Sequence, residues 1–361
     1  MRIGQNPAKF VETVPQPARV TVAIISYIPF LSGYYAQCLE VLKICLGSLW
    51  AHTDLPYDLL VFDNASCPEV RAWLREQHEA GKIQYLVLSD KNLGKAAAWN
   101  FIFAAAPGEV IAYADADIYF EQGWLSALVN ILDTFPNAGM VTGIPMWSPA
   151  QFSTATVEWA EKTEGITLER GRFLSWDDYW KHARSLGQDE VEARGNFEKQ
   201  EDQRITIQRV NDSASQRISN QQDESMSQRV GESANEPVNQ STNQPVNQSP
   251  ISNLQFFVGA GHFQFVARKS VLQQVIPIPA DKPMGQVRRL DMAINERGYL
   301  RLSTPEWWVR HIGNVLPEEV GGETRQKTAT PTRAKGMRGP LRRVVQWVYH
   351  KSFDLLYKSA K

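Results

Sequence analysis

Glu109-Val110-Ile111-Ala112-Tyr113-Ala114-Asp115-Ala116-Asp117 is the stretch on which the reading of this chain turns. It reads as an apolar strand that stops at two carboxylates one residue apart. Mg²⁺ and Mn²⁺ favour oxygen ligands and keep open positions for phosphate oxygens, so such a strand end can hold a divalent cation against a diphosphate. An exposed Asp-x-Asp turn spells the same string, so the flanking segments must decide between the two.

Working outward, Val20 to Ser26 is a β-branched run too continuous for a half-exposed strand, and it reads as a central strand of a parallel sheet. Leu39, Leu42, Cys45, Leu46 and Leu49 then supply a helical stripe. A strand over 57–62 leads into Asp63-Asn64-Ala65-Ser66, and a helix over about 68–79 starts at Pro68, a residue favoured in a first turn. A strand over 83–88 and a helix from near Gly94 precede the opening stretch, and a helix over 121–135 and a strand over 139–144 follow it. Strands alternating with helices at this period imply βαβ units, whose ligands sit beyond the carboxyl ends of the strands. Asp63 and Asp115 both stand at such ends. Later, 256–266 reads as a Gly-bearing turn entering a strand, 269–275 as a short helix, 290–297 as a helix opened by Asp291, and 299–302 and 307–311 as short strands.

Composition bounds the rest. The 361 residues carry 43% hydrophobic side chains, 10% aromatics and a net charge of −1, which fits a globular protein and argues against a nucleic-acid partner held by a general electrostatic field. Cys38, Cys45 and Cys67 form no metal-ligand pattern and cannot all pair; they read as packing residues of a reducing compartment. The first residues lack an apolar signal-peptide core, and no segment reaches the ~18 apolar residues of a spanning helix, so the expected location is cytoplasmic, soluble or peripheral on a membrane face. The organisation expected is an N-terminal extension (1–18), a first part of the α/β domain (19–192), a disordered polar insertion (193–252), a second part of that domain (253–320) and a linker with a basic amphipathic helix (321–361). The insertion repeats Pro-Val-Asn-Gln and has almost no large apolar residue to offset the entropy of ordering. Around Trp347 the tail places leucines and valines on one face with arginines and lysines about it; it could lie on an anionic lipid surface, cover the domain or meet a second copy.

Four ordered motifs, Arg19 to Tyr27, Leu59 to Ser66, Asn92-Leu93-Gly94-Lys95 and Asp115-Ala116-Asp117, together resemble a family 2 glycosyltransferase of the GT-A fold. The resemblance covers residues 19–145 and, less closely, 256–314. It implies an α/β fold with a mostly parallel central sheet flanked by helices. The implied activity is transfer of a sugar from a nucleoside-diphosphate sugar to a saccharide or lipid-linked acceptor with Mn²⁺ or Mg²⁺. A nucleotidyltransferase would be expected to carry a Gly-rich basic loop after its first strand, which Ser26-Tyr27-Ile28-Pro29-Phe30 lacks. A nucleotide- or sugar-binding domain without catalysis is the other alternative.

By that resemblance, Ser26, Tyr27, Asp63, Asn92, Gly94, Lys95 and Asp115 form the donor site, with Asp63 meeting the nucleoside. Asp63 also suits a turn or an N-cap. Asp117 ligates the metal directly, Asp115 reaches the ribose or a metal-bound water, and His311 in His311-Ile312-Gly313 completes the metal site. His262, beside Gly261, and Trp147 line the acceptor pocket. Asp291 is the candidate base, although the family's usual Glu-Asp pair is reduced here to Arg289-Leu290-Asp291, and an N-cap role fits it equally. The family's Arg-Asn is Trp99-Asn100 in this chain, which leaves the role of Trp99 open.

Overall fold

The computed structural model describes residues 4–208, 253–281 and 287–316. β1 (Val20–Ser26), β2 (Tyr57–Asn64), β3 (Tyr85–Ser89) and β4 (Val110–Asp115) pair in parallel in the order β3-β2-β1-β4. The sheet continues through β10 (Gln264–Arg268), β6 (Ala138–Thr142), β11 (Leu300–Ser303), β9 (Asn253–Val258), β8 (Asp202–Gln208) and β7 (Ile166–Gly171). β3, β2, β1, β4, β6, β11 and β8 point one way, and β10, β9 and β7 run against them. The central sheet is therefore mostly parallel in direction, as expected.

Side chains alternate across a strand, so each strand feeds two layers. Val20, Val22 and Ile24 of β1 join Leu42, Cys45, Leu46 and Leu49 of α1 (Cys38–His52), Val70 and Leu74 of α2 (Pro68–Glu79), and Leu125 and Leu128 of α4 (Trp124–Thr134). Ala23 faces the other layer, with Trp99, Ile102 and Phe103 of α3 (Gly94–Ala105), Leu272 of α8 (Lys269–Val275), and Leu290 and Ile294 of α9 (Val287–Glu296). Each large aliphatic side chain buried this way contributes about 1.5–3 kcal/mol. Trp99 belongs to this second layer: it is wholly buried, stacked on Phe103 at 5.9 Å and edge-on to Tyr113 at 5.4 Å.

From β1 the chain moves outward to β2 and β3, then returns to β4 on the opposite side of β1. The switch point between β1 and β4 is where a sheet of this kind opens a ligand crevice. The same junction is tightly closed at the opposite end of the strands. A Cβ on Gly108 would stand 2.7 Å from the Arg19 carbonyl oxygen and the Thr21 nitrogen, both backbone atoms that cannot rotate away. Gly108→Ala is expected to lower stability by about 1–3 kcal/mol, the usual cost of overpacking, read as a shift in urea midpoint at unchanged slope.

Three boundaries differ from the sequence reading. Residues 193–208, expected in the insertion, complete α7 (Glu190–Lys199) and form β8 between β7 and β9; Phe197 and Ile205 are buried and give this polar stretch its hold. α9 begins at Val287, so Asp291 lies inside the helix and does not cap it. β9 precedes the Gly-bearing turn at 259–261, which thus joins two strands. The expected insertion from 209 to 252 and the C-terminal helix lie outside the described residues. All three cysteines are free; burial pushes the Cys38 thiol up to about 11, aided by the charge of Asp117. Among the described residues no helix is long and apolar enough to cross a membrane.

Candidate active site

The parallel register sets Ser26 beside Asp63 and Ile25 beside Asp115, so the ends of β1, β2 and β4 lie side by side. Asp63 is fully buried. Its Oδ2 accepts from Arg71 Nε of α2 at 2.9 Å and from Ser66 N at 3.1 Å, whereas its Oδ1 is buried without a hydrogen-bond partner. Arg71 also reaches Asp90 at 3.0 Å. Between Asp63 and Ser66, Ala65 takes a φ of 72°, a left-handed conformation costing about 1–2 kcal/mol for a residue with a Cβ. The turn is thus held by its bonds to Asp63 against its local preference.

The loop before α3 is organised by two amides. Asn92 Oδ1 accepts from Gly94 N at 2.8 Å and from Asn64 Nδ2 at 3.0 Å, and Asn64 Oδ1 accepts from Leu93 N at 2.8 Å. Asn92, expected in the donor site, therefore shapes the loop before α3 with its side-chain oxygen. Lys95, one residue into α3, reaches across to β4, where its Nζ lies 2.6 Å from Asp115 Oδ2, and the Tyr113 hydroxyl donates to Asp115 Oδ1. Tyr27 lies edge-on to Tyr35, with ring centroids 6.2 Å apart.

β5 (Ile118–Phe120) and β12 (Val309–His311) form a separate antiparallel pair with Ile118 opposite His311. That pairing brings His311 Nε2 within 3.2 Å of Asp117 Oδ2, while Asp117 Oδ1 is buried without a hydrogen-bond partner. Burial alone would lower the His311 pKa, but the hydrogen bond and charge of Asp117, with the charge of Asp115, outweigh it and raise it above the ordinary value. Of the three expected metal residues, then, the structure joins Asp117 and His311 and turns Asp115 to Lys95 and Tyr113. Among the described residues no three His, Cys, Asp or Glu side chains are arranged as a metal cluster.

The residues expected on the acceptor side form a second group. Asp291 Oδ1 lies 2.8 Å from Arg301 Nη2, and Asp291 Oδ2 lies 3.8 Å from His262 Nδ1. Arg301 is 1% exposed and also donates to Phe152 O at 2.6 Å and to Ala260 O, which ties the 147–153 segment to the turn before His262. Gly261 N donates to Thr142 Oγ1 at 2.8 Å, and Trp147, partly exposed, donates to Glu201 O at 3.1 Å.

Sequence reasoning missed Arg71, Asn64, Arg301 and α6 (Trp176–Ser185), which carries His182 and Ser185 to His311. Burial, with the charges of His311 and His262, lowers the His182 pKa to about 4 and keeps the ring neutral. Only Arg301 gave a sequence signal: an arginine between two leucines of a strand wants a buried counter-ion. α6 sits in a stretch with no motif.

Carboxylates gathered at the switch point of a mostly parallel sheet mark the place where an α/β domain holds its ligand. Comparison with known proteins is more specific: the family model described as glycosyl transferase family 2 matches residues 34–188, a span that reaches through α6. An uncharacterized glycosyltransferase of Nostoc sp. (strain PCC 7120) is 27% identical over 100 residues, which is 28% of this chain and 31% of that protein's length. Two solved structures align over 37% of this chain and 39% of their own: Staphylococcus aureus TarS residues 1–349, at 16% identity and TM-score 0.29, and Pyrobaculum calidifontis mannosyltransferase PcManGT in complex with GDP-Man and Mn²⁺, at 24% identity and TM-score 0.30.

Proposed function

We propose that this chain transfers a sugar from a nucleoside-diphosphate sugar to an acceptor hydroxyl with inversion, using a divalent cation held by Asp117 and His311. The observation that carries this reading is the pair at 3.2 Å between His311 and Asp117, which stands two residues past β4 at the switch point, with a buried Asp117 oxygen still free to coordinate. A carboxylate with an imidazole suits Mn²⁺ better than Mg²⁺. When bound, the cation supplies charge neutralisation for the departing nucleoside diphosphate.

The chain's own residues do the remaining work in this reading. Asp63 offers its unpartnered Oδ1 to the nucleoside, and the loop that Asn64 and Asn92 shape lets Gly94 approach the phosphates. Lys95 moves between Asp115 and the diphosphate as a point charge. Trp147 and His262 flank the acceptor. Asp291, ion-paired with Arg301, takes the acceptor proton on Oδ2 as the acceptor hydroxyl oxygen attacks the anomeric carbon opposite the leaving phosphate. One observation favours the rival reading of a donor-binding domain without transfer: the carboxylate assigned as base is already committed to a buried arginine. We place the reaction in the cytoplasm, at a membrane face if the acceptor is lipid-linked.

Calorimetric titration with UDP, GDP and dTDP, each with and without Mn²⁺, tests the donor site. Mn²⁺-dependent binding of one nucleotide is the expected result. A folded protein that binds none of the three would remove the donor assignment.

A further inference from the structure

α6 is fastened to the strand that bears His311. Trp307 Nε1 donates to Asp178 Oδ1 at 2.7 Å, and Lys181 Nζ lies 4.5 Å above the Trp307 ring. At the other end of the helix the backbone at Gly313, with φ +73°, passes so close that a Cβ there would stand 2.8 Å from the Ser185 carbonyl oxygen. The rings of His182 and Phe263 stand nearly perpendicular to the His311 ring, at centroid distances of 6.0 and 6.1 Å. Against this wall, one hydroxyl meets the imidazole.

Ser185 Oγ donates to the His182 carbonyl oxygen at 2.6 Å and lies 3.1 Å from His311 Nδ1. A serine hydroxyl has one hydrogen, and the carbonyl can only accept, so toward His311 the hydroxyl must itself accept. The hydrogen in that contact therefore belongs to the ring. His311 carries it on Nδ1, whether or not Nε2, turned to the Asp117 carboxylate at 3.2 Å, holds a hydrogen of its own for that contact. Histidines that ligate metals are commonly oriented in this way, by donating the other ring N–H to a neighbouring acceptor.

We propose that Ser185 is a positioning residue that keeps a hydrogen on His311 Nδ1 and so leaves Nε2 as the nitrogen for the cation shared with Asp117. The metal part of this inference rests on the function proposed above; the tautomer part does not.

The test compares the parent with Ser185→Ala and with Ser185→Thr, which keeps a hydroxyl, after thermal unfolding shows all three folded. Mn²⁺ binding, followed by the electron spin resonance of free Mn²⁺, is expected to weaken by about 10–100-fold in Ser185→Ala and to recover in Ser185→Thr. Unchanged affinity in Ser185→Ala overturns the proposal. A second readout needs no metal: ring ¹⁵N–¹H spectra of the metal-free protein should show the His311 Nδ1–H signal in the parent and in Ser185→Thr, and lose it to solvent exchange in Ser185→Ala. If the parent binds no Mn²⁺, the metal-dependent reading fails and this spectrum alone judges Ser185. A parent without the Nδ1–H signal, or an Ala variant that keeps it, sinks the idea.

Discussion

Asp117→Ala should bind its nucleoside diphosphate without any response to Mn²⁺ and transfer sugar about 10³-fold more slowly than the parent. The magnitude follows from the task assigned to the cation. Neutralising a leaving diphosphate is worth several kcal/mol, and each ~1.36 kcal/mol is a factor of ten in rate. Asp117 supplies both the oxygen that faces His311 and the buried oxygen with no partner, so no other side chain replaces it directly. The fold should tolerate the change: the side chain is 31% exposed, and the Ile312 N–H bonds to the Asp117 backbone oxygen, which alanine keeps. Nucleotide titration with and without Mn²⁺, paired with initial rates, reads both effects. Mn²⁺-dependent binding that survives in the variant would move the cation elsewhere.

The sequence made the parallel half of the sheet legible because its strands are short β-branched runs and its helices carry clean apolar stripes; α2 and α8 fall on the residues expected of them. Asp63, Asp115 and Asp117 were legible for a related reason, since each stands at or just past the end of an apolar run. What the sequence hid depends on contacts between distant segments. Nothing near Asp115 announces that Lys95, 20 positions earlier, will reach it. The Asp117–His311 pair exists only because β12 returns to β5, and Arg301 meets Asp291 across β11 and α9. β8 was misread because its neighbours are polar; its two isoleucines, Ile205 and Ile207, keep a strand's period of two, but in too short a run to stand out.

Asp291→Asn should unfold more readily than the parent by about 3–5 kcal/mol, since removing one partner of a buried ion pair leaves the other charge uncompensated. Against a typical stability of roughly 5–15 kcal/mol this is a large loss, so inactivity of the single variant could reflect unfolding as well as a missing base. Pairing it with Arg301→Met separates the two. Methionine removes the stranded guanidinium, and replacing a buried ion pair by apolar groups is often near neutral, so the double variant should regain part of the lost stability. Full recovery is not expected, because Arg301 also bonds Phe152 O and Ala260 O. The two sites touch, so their effects on stability should couple instead of adding. Urea unfolding measures that coupling, and sugar transfer by folded protein measures the chemistry. A folded double variant that binds donor but transfers nothing keeps Asp291 as the base. One that transfers at the parental rate makes the carboxylate only the counter-ion of Arg301, and the proton must then leave the acceptor by another group.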